Sequence, residues 1–412
     1  MYQNNKENNG CQAKSKISIS VQYRKYSGND LKCLENSNSE IVAAFGAFVS
    51  GNAIGWSSSA EMIFSQEYVI KLTPHDQHLI IGVLKIGAAV AQLSLGLTID
   101  YVGLRTVMML TSIPHFLGWI ILAFADSKAE FCLGRFIIGF CVGAICLSAP
   151  VYIGDISDQY IRGTMCELFS FAWSLGILTA YCMGDFHSIF LLSLPVAAGP
   201  AVMYIILMYL PNSPVDLYRK NHTEEAEISL MYFRGKDYDI SKELEEIEKF
   251  TKDVKGQFWI NLVKPTSLKA AFVLIVMFCI QQLTGTYIII MHAYKVCKMI
   301  QFFENPNHGA IIFGTVQLVF SAVSTAVVDK VGRKPLWIVS LTVMGICHIS
   351  VARYFTLLNS DIAISSLVPL ISIITTLAAF SVGAGPLPFV MLAEIVPIQV
   401  KGCINSIAMV FN

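Results

Sequence analysis

Apolar runs about twenty residues long, separated by short polar loops, set the pattern of this chain. A helix rising 1.5 Å per residue needs about 20 apolar residues to cross about 30 Å of hydrocarbon. Stretches free of Asp, Glu, Lys and Arg cover 41–60, 107–125, 136–154, 186–210, 270–294, 309–328, 335–352 and 362–393. Two more runs carry one charge each, Lys85 within 79–99 and Glu167 within 164–184. The pattern predicts an all-α, polytopic membrane protein with ten complete spans, six before and four after a hydrophilic segment at 211–269. An eleventh begins at Ile404 and reaches only Asn412, too short to cross. The second half is therefore expected to be truncated: a fragment, or a copy lacking the end of its last helical pair. The expected organisation is a tail at 1–40, a six-helix half at 41–210, a linker at 211–269 and an incomplete second half at 270–412. Periodic Leu, Ile and Phe in Ser241 to Phe250 predict short amphipathic helices in the linker.

Composition agrees with a bilayer as solvent. Hydrophobic residues make up 54% and charged residues 14%, against about 25% charged in soluble chains. The 29 Lys and Arg balance the 29 Asp and Glu, which leaves no basic field for nucleic acid. The eleven cysteines form no C-x-x-C pair and no Cys/His cluster, and most fall inside apolar runs, so small buried side chains are expected and no metal site. No Walker A string occurs, and neither a cofactor nor an obligate protein partner is expected. Placing the tail, the linker and the loops at Arg105, Arg162, Lys330 to Lys334 and Lys401 on one side gathers 22 of the 29 Lys and Arg there. By the positive-inside rule that side is the cytosol, so the N-terminus is cytosolic in a multi-pass protein, taken to be of the plasma membrane. The sequon Asn221-His222-Thr223 then stays unglycosylated.

An internal repeat carries the next step. Asp100 to Arg105 reads DYVGLR and Asp329 to Lys334 reads DKVGRK, both D-x-x-G-x-[RK] and 229 residues apart. Farther along each half an acid precedes a base by seven residues and a glycine follows: Asp155, Arg162 and Gly163, then Glu394, Lys401 and Gly402. Two motifs recurring in order after equivalent helices argue for duplicated halves, the plan of many secondary transporters. The glycine permits a tight loop between helix ends, and the flanking acids and bases can pair across it to latch one face. Asp100, Arg105, Asp155, Arg162, Asp329, Arg333, Glu394 and Lys401 form the expected cytosolic network.

Taken together, these strings resemble the sugar porter family of the major facilitator superfamily. The likeness rests on GRFIIGFCVGAICLSAPVYIGD from Gly134, RG at Arg162, PNSPVDL from Pro211, QQLTG from Gln281, VDKVGRKPL from Val328 and GAGPLPF from Gly383 with AE at Ala393. Within the family, Val316 and Gln317 ahead of Asp329, and Ser381 in FSVGAGPLPF, look most like the insect facilitated trehalose transporters. Leu104 stands where the family has a base, Asn212 where it has Glu, and Asp155 shortens a Glu. These departures lead us to expect a weakened first-half latch. Tyr287, Phe389 and Ser170 also depart from the pattern around the expected sugar site.

A sugar offers hydroxyls and apolar C–H faces, so its site wants amides and rings in an apolar cavity. Gln281 and Gln282 are amides inside an apolar run, where polar groups usually mark function or tie helices together. With the resemblance they become ligand candidates, joined by Tyr287, Gln317, Phe380, Phe389 and Asn412. Gly385, Pro386 and Pro388 interrupt the tenth run and are the expected extracellular gate. Lys85 is expected to snorkel to the extracellular interface, Glu167 to join the cytosolic network, and His292 and His348 to be satisfied packing residues. The first run, 41–60, lacks an acid. The implied function is facilitated diffusion of a neutral sugar, trehalose or a hexose, by alternating access and without covalent chemistry. A proton-coupled symporter and a non-transporting sugar sensor are the alternatives.

Overall fold

The computed structural model describes residues 38–65, 72–96, 98–158, 162–235, 240–252, 258–358, 365–397 and 400–412. The amino-terminal tail up to residue 37 lies outside them. The described chain is helical. The first half comprises α1 (Asn38–Phe64), α2 (Pro74–Leu95), α3 (Leu104–Ala123), α4 (Lys128–Ile156), α5 (Arg162–Met183) and α6 (Ile189–Tyr209). Between the halves lie α7 (Pro214–Arg219), α8 (Thr223–Arg234) and α9 (Ser241–Lys252). The second half has α10 (Pro265–Leu283), α11 (Thr286–Met291), α12 (Ala293–Ile300), α13 (Pro306–Val331), α14 (Arg333–Leu358), α15 (Leu367–Ala379), α16 (Leu387–Glu394) and α17 (Lys401–Met409).

Local chemistry sets several of these starts. Thr73 and Asp76 form a reciprocal capping box at α2 with Pro74 in the first turn, and Ser127 and Glu130 do the same for α4. Asn305 caps α13 ahead of Pro306. Packing of apolar helices in lipid depends on close approach at small residues. A Cβ on Gly51 would lie 2.1 Å from the Trp173 carbonyl oxygen, and one on Gly176 2.1 Å from that of Phe48, so α1 and α5 touch backbone to backbone. α4 is the most enclosed span, with 83% of its apolar window buried.

Among the described residues nine helical segments are long and apolar enough to cross a membrane. α1 is not in that set, although its 27 residues exceed the length required. Its interior carries Ser50, Asn52, Ser57, Ser58, Ser59 and Glu61, all buried. Two spans that read as continuous are broken. The seventh stops at Leu283, turns at Gly285 with φ of +69°, and resumes as α11 and α12. The tenth passes from α15 through a π-helical turn at Phe380–Ala384 into α16.

Candidate functional site

The halves meet along α5 and α13 and where α16 packs on α4 and α5. Between them lies a small cavity of about 30 Å³. Phe169, Ser170, Trp173 and Ser174 line it from α5, Gln317 and Ser321 from α13, and Tyr287, Phe380, Ser381, Gly385, Pro386 and Phe389 from the two broken spans. Rings, hydroxyls and one amide face the space, and none of its lining residues is charged. Gln317 has a buried Oε1 without a hydrogen-bond partner among the described residues. A second cavity of about 130 Å³ shares Trp173 and Tyr287 and is lined also by Lys85, Gln92 and Asn412. Both are small beside the roughly 300–1,000 Å³ of pockets that enclose a drug-sized ligand.

The other expected ligands surround this space. Gln281 is wholly buried, and its Nε2 donates to the carbonyls of Ala384 at 2.8 Å and Gly385 at 2.7 Å. Those carbonyls belong to the stretch where the π-turn interrupts the helical ladder, so the amide satisfies backbone groups freed by the break. Gln282 Nε2 donates to Asn412 Oδ1 at 2.7 Å. Phe389 packs between Phe169 and Phe278, with ring centroids 5.5 and 5.6 Å away. Gly385 has no room for a side chain, since a Cβ would come 2.8 Å from the Phe380 ring. Pro388 is buried within α16 and does not line the cavity. Lys85 corrects its expectation: it turns inward, with Nζ 4.5 Å from the Tyr287 ring centroid and 3.4 Å from the Asn412 carbonyl oxygen. An ammonium near mid-helix gains a cation–π contact and a carbonyl there, partners the lipid face lacks.

On the face that carries α7 to α9, charged groups tie the halves. Lys401 pairs with Asp155 at 2.9 Å, both nearly buried, and Ser213 Oγ donates to the same carboxylate at 3.1 Å. Asp329 accepts from the backbone N–H and hydroxyl of Thr164, at 2.9 and 2.6 Å. Arg333 bridges Asp329 and Glu394 at 2.9 and 2.6 Å. Asp100 is held by Arg219 of α7 at 2.5 Å. Two expected members behave otherwise. Arg105 donates to the Leu207 and Met208 carbonyls, capping the end of α6 instead of meeting an acid. Arg162 makes no hydrogen bond or ion pair among the described residues, and its Nε is buried without a partner. Glu167 is also corrected: it is wholly buried, accepts from Ser324 Oγ at 3.1 Å and joins no ion pair among the described residues.

At the opposite face α1 meets the second half. Glu61 Oε1 lies 2.6 Å from His292 Nδ1 and 2.8 Å from Lys295 Nζ. Tyr181 donates its hydroxyl to the Ile290 carbonyl at 2.6 Å, and Asn307 donates to Asp185 at 2.8 Å. His292 thus has a hydrogen-bond partner across the halves, whereas His348 keeps a buried Nε2 without a partner among the described residues. α1 also runs past the expected end of its span, so an acid, Glu61, does sit on the first helix. Deeper in the bilayer, Arg135 of α4 is wholly buried. It donates to the Ala53 carbonyl at 2.8 Å and to Ser57 Oγ at 2.6 Å, and stacks on Trp56 at 4.8 Å.

A family model described as "Sugar (and other) transporter" matches residues 40–412. The chain belongs to this family. The transporter is 28% identical over 380 residues to the facilitated trehalose transporter Tret1 of Bombyx mori, an alignment covering 90% of this chain and 75% of that one. It is 29% identical to Tret1 of Apis mellifera ligustica, with 90% and 76% covered, and 28% identical to the sugar transporter ERD6-like 6 of Arabidopsis thaliana, with 90% and 78% covered. Its fold matches that of the proton:xylose symporter XylE bound to 6-bromo-6-deoxy-D-glucose, with a TM-score of 0.80 at 22% identity, covering 93% of this chain and 86% of that one. The chain is accordingly a multi-pass membrane protein of the major facilitator fold, a member of a family of transporters and not of enzymes.

Several residues of the sites escaped the sequence reading. Arg135 directly precedes the charge-free run that starts at Phe136, and Glu61 directly follows the one that ends at Ala60, so run length alone leaves both outside. Asp216 and Arg219 lie in the linker, where eleven acids and ten bases gave no reason to single out two. Phe169 and Trp173 carry no polar signal, and only helical spacing from Ser170 would have drawn attention to them.

Proposed function

We propose that the transporter carries a neutral sugar, trehalose or a hexose, down its gradient by alternating access, with the linker face in the cytosol of a plasma-membrane protein. The observation that carries the reading is the uncharged cavity at the junction of the halves. Rings on Phe169, Trp173, Tyr287, Phe380 and Phe389 suit the apolar faces of a pyranose, while Gln317 and the hydroxyls of Ser170, Ser174, Ser321 and Ser381 suit its hydroxyls. Cross-half ties stand at both ends of this cavity, the Asp155–Lys401 pair at one and the Glu61–His292 contact at the other. Breaking one set while keeping the other would expose the cavity to one side at a time. In this reading Gln281 positions the broken tenth span, and Gln282 and Asn412 lie beside the second cavity.

Passive transport is supported by the setting of Arg135. Its partners are a carbonyl, a hydroxyl and an indole, none of which exchanges protons near neutral pH. Glu61, buried on the same helix as those partners, keeps proton symport as a second reading. The test is sugar flux in vesicles holding the purified chain. Saturable, downhill exchange with no accumulation under an inward proton gradient is expected; accumulation above the external level would establish symport, and binding without flux would establish a sensor. Replacing Gln317 by Ala should weaken sugar binding by about 1 to 3 kcal/mol, roughly five- to 150-fold in Kd, because the partner hydroxyl is left unsatisfied. Unchanged affinity in a folded Gln317→Ala protein would remove that amide from the site.

A further inference from the structure

At the face opposite the linker, three ligating side chains from three helices converge. Glu61 comes from the end of α1, His78 from the first turns of α2, and His292 from the junction of α11 and α12, and one donor atom of each lies within 4.8 Å of the others. His78 is exposed and His292 partly so, which leaves a path from solvent. Glu61 is 0% exposed, and its Oε2 has no hydrogen-bond partner among the described residues although Oε1 meets His292 and Lys295. A buried, half-satisfied carboxylate costs stability unless something engages it. Two imidazoles and a carboxylate are the donor set that borderline divalent ions prefer, and three protein ligands leave a fourth position for water.

We propose that Glu61, His78 and His292 bind a divalent transition-metal ion of the zinc class, and that the bound ion clamps this face shut by bridging the two halves. Zinc bonds of about 2.0–2.1 Å in a tetrahedron put ligand atoms about 3.3 Å apart. The 2.6 Å contact between His292 Nδ1 and Glu61 Oε1 must then open slightly as the ion takes the place of the shared proton. The main competitor is Lys295, whose ammonium sits 2.8 Å from the same carboxylate oxygen and must swing away. Its Nζ is buried where it stands, but the side chain as a whole is 31% exposed, so a swing brings the ammonium to solvent. Glu61 and His78 belong to the first half and His292 to the second, so an occupied site cannot separate without losing a ligand.

The site itself is independent of the transport reading; the effect of the ion on flux rests on it. Purified full-length chain titrated with Co²⁺ should develop visible absorption of a four-coordinate ion at one equivalent, and Zn²⁺ should displace it. His78→Gln, a change at an exposed position that leaves folding intact, and His292→Gln should each weaken binding at least 100-fold. Lys295→Gln should tighten it about tenfold by removing the competing cation. In vesicles, Zn²⁺ should slow sugar flux by the wild-type chain and not by His78→Gln. Cobalt binding that survives both histidine changes, or that weakens in Lys295→Gln, would overturn the site. Stoichiometric binding with undiminished flux would overturn the clamp. Absence of flux from metal-free protein would instead defeat the transport reading, and the cobalt spectrum would still decide the site.

Discussion

The two copies of the repeated charge motif occupy matching places and are wired differently. In the second half, Arg333 follows the loop glycine Gly332 and reaches both Asp329 and Glu394, so that half's acids are joined by their own base. In the first half the matching position is Leu104, and no base stands there. Asp155, which corresponds to Glu394, is left to pair across the molecule with Lys401, while Asp100 takes Arg219 from the linker. Arg162, the counterpart of Lys401, has Glu394 already engaged and makes no ion pair among the described residues. One feature remains symmetric. Gly163 packs on Asp329 and Gly402 on Asp100, each so closely that a Cβ would lie 2.2 or 2.6 Å from the carboxylate, so each glycine admits the other half's loop acid. With Leu104 in place of a base, the first half's acids are held from outside it, Asp155 by Lys401 across the halves and Asp100 by Arg219 of the linker.

Removing Lys401 tests this wiring most severely. The Asp155 and Lys401 side chains are 6% and 7% exposed, and deleting one partner of such a buried pair strands the other charge. Lys401→Met should cost about 3–5 kcal/mol, read as a lowered melting temperature, and adding Asp155→Asn should recover most of it. If the double variant is no more stable than the single, the pair is not what holds this face. A smaller effect is expected from restoring the missing base. Leu104→Arg would offer Asp155 and Asp216 a cation within the first half and compete with Lys401. Cys166, buried behind Gly154 near the junction, reports opening when it is the sole remaining cysteine. Its labelling by a permeant maleimide should quicken about tenfold, the equivalent of about 1.4 kcal/mol. Unchanged labelling would mean that the leucine has no part in directing Asp155 across the interface.

The helical plan and the repeat were legible because both depend on local pattern: run length fixes a span, and an acid, a glycine and a base at fixed spacing mark a loop. The partners within the repeat were not legible, because they depend on which acid is nearest in space. Arg105 has the spacing of a gate residue yet finds the open carbonyls of α6 closer than any acid. Lys85 and Glu167 were read by depth along their helices, and depth says nothing about which way a side chain turns. The broken seventh and tenth spans were half visible: Gly383, Pro386 and Pro388 announced the second break, whereas Gly285 is a single residue whose positive φ no composition reveals. Glu61 shows the cost of ending a span at the last charge-free residue, since a helix in protein surroundings can bury an acid that lipid would refuse.

The smallest expected effect concerns Asp216, the linker carboxylate that completes the first-half site. Its Oδ2 accepts from the Leu104 backbone N–H at 3.0 Å, and its Oδ1 lies 3.4 Å from Arg219. Burial pushes its pKa up from 3.8 to about 6, with Arg219 opposing the rise. Because the folded value lies above the unfolded one, the native state binds the proton more tightly. Stability from this group therefore grows as pH falls through about 6 and levels off below about 4, the reverse of an ordinary paired carboxylate. Between pH 7.5 and pH 5 the linkage is worth about 1.4 kcal/mol in favour of the folded chain at pH 5. Asp216→Asn keeps an acceptor for Leu104 and leaves Arg219 with Asp100, so it should fold, lose this dependence and be the more stable of the two at pH 7.5. The measurement is the difference in melting temperature between wild type and Asp216→Asn at the two pH values, which cancels every other titrating group common to both. A gap that narrows by a few degrees on acidification fits the buried charge; a constant gap would place Asp216 in contact with water and leave Arg219 as the only linker residue that compensates for the missing base.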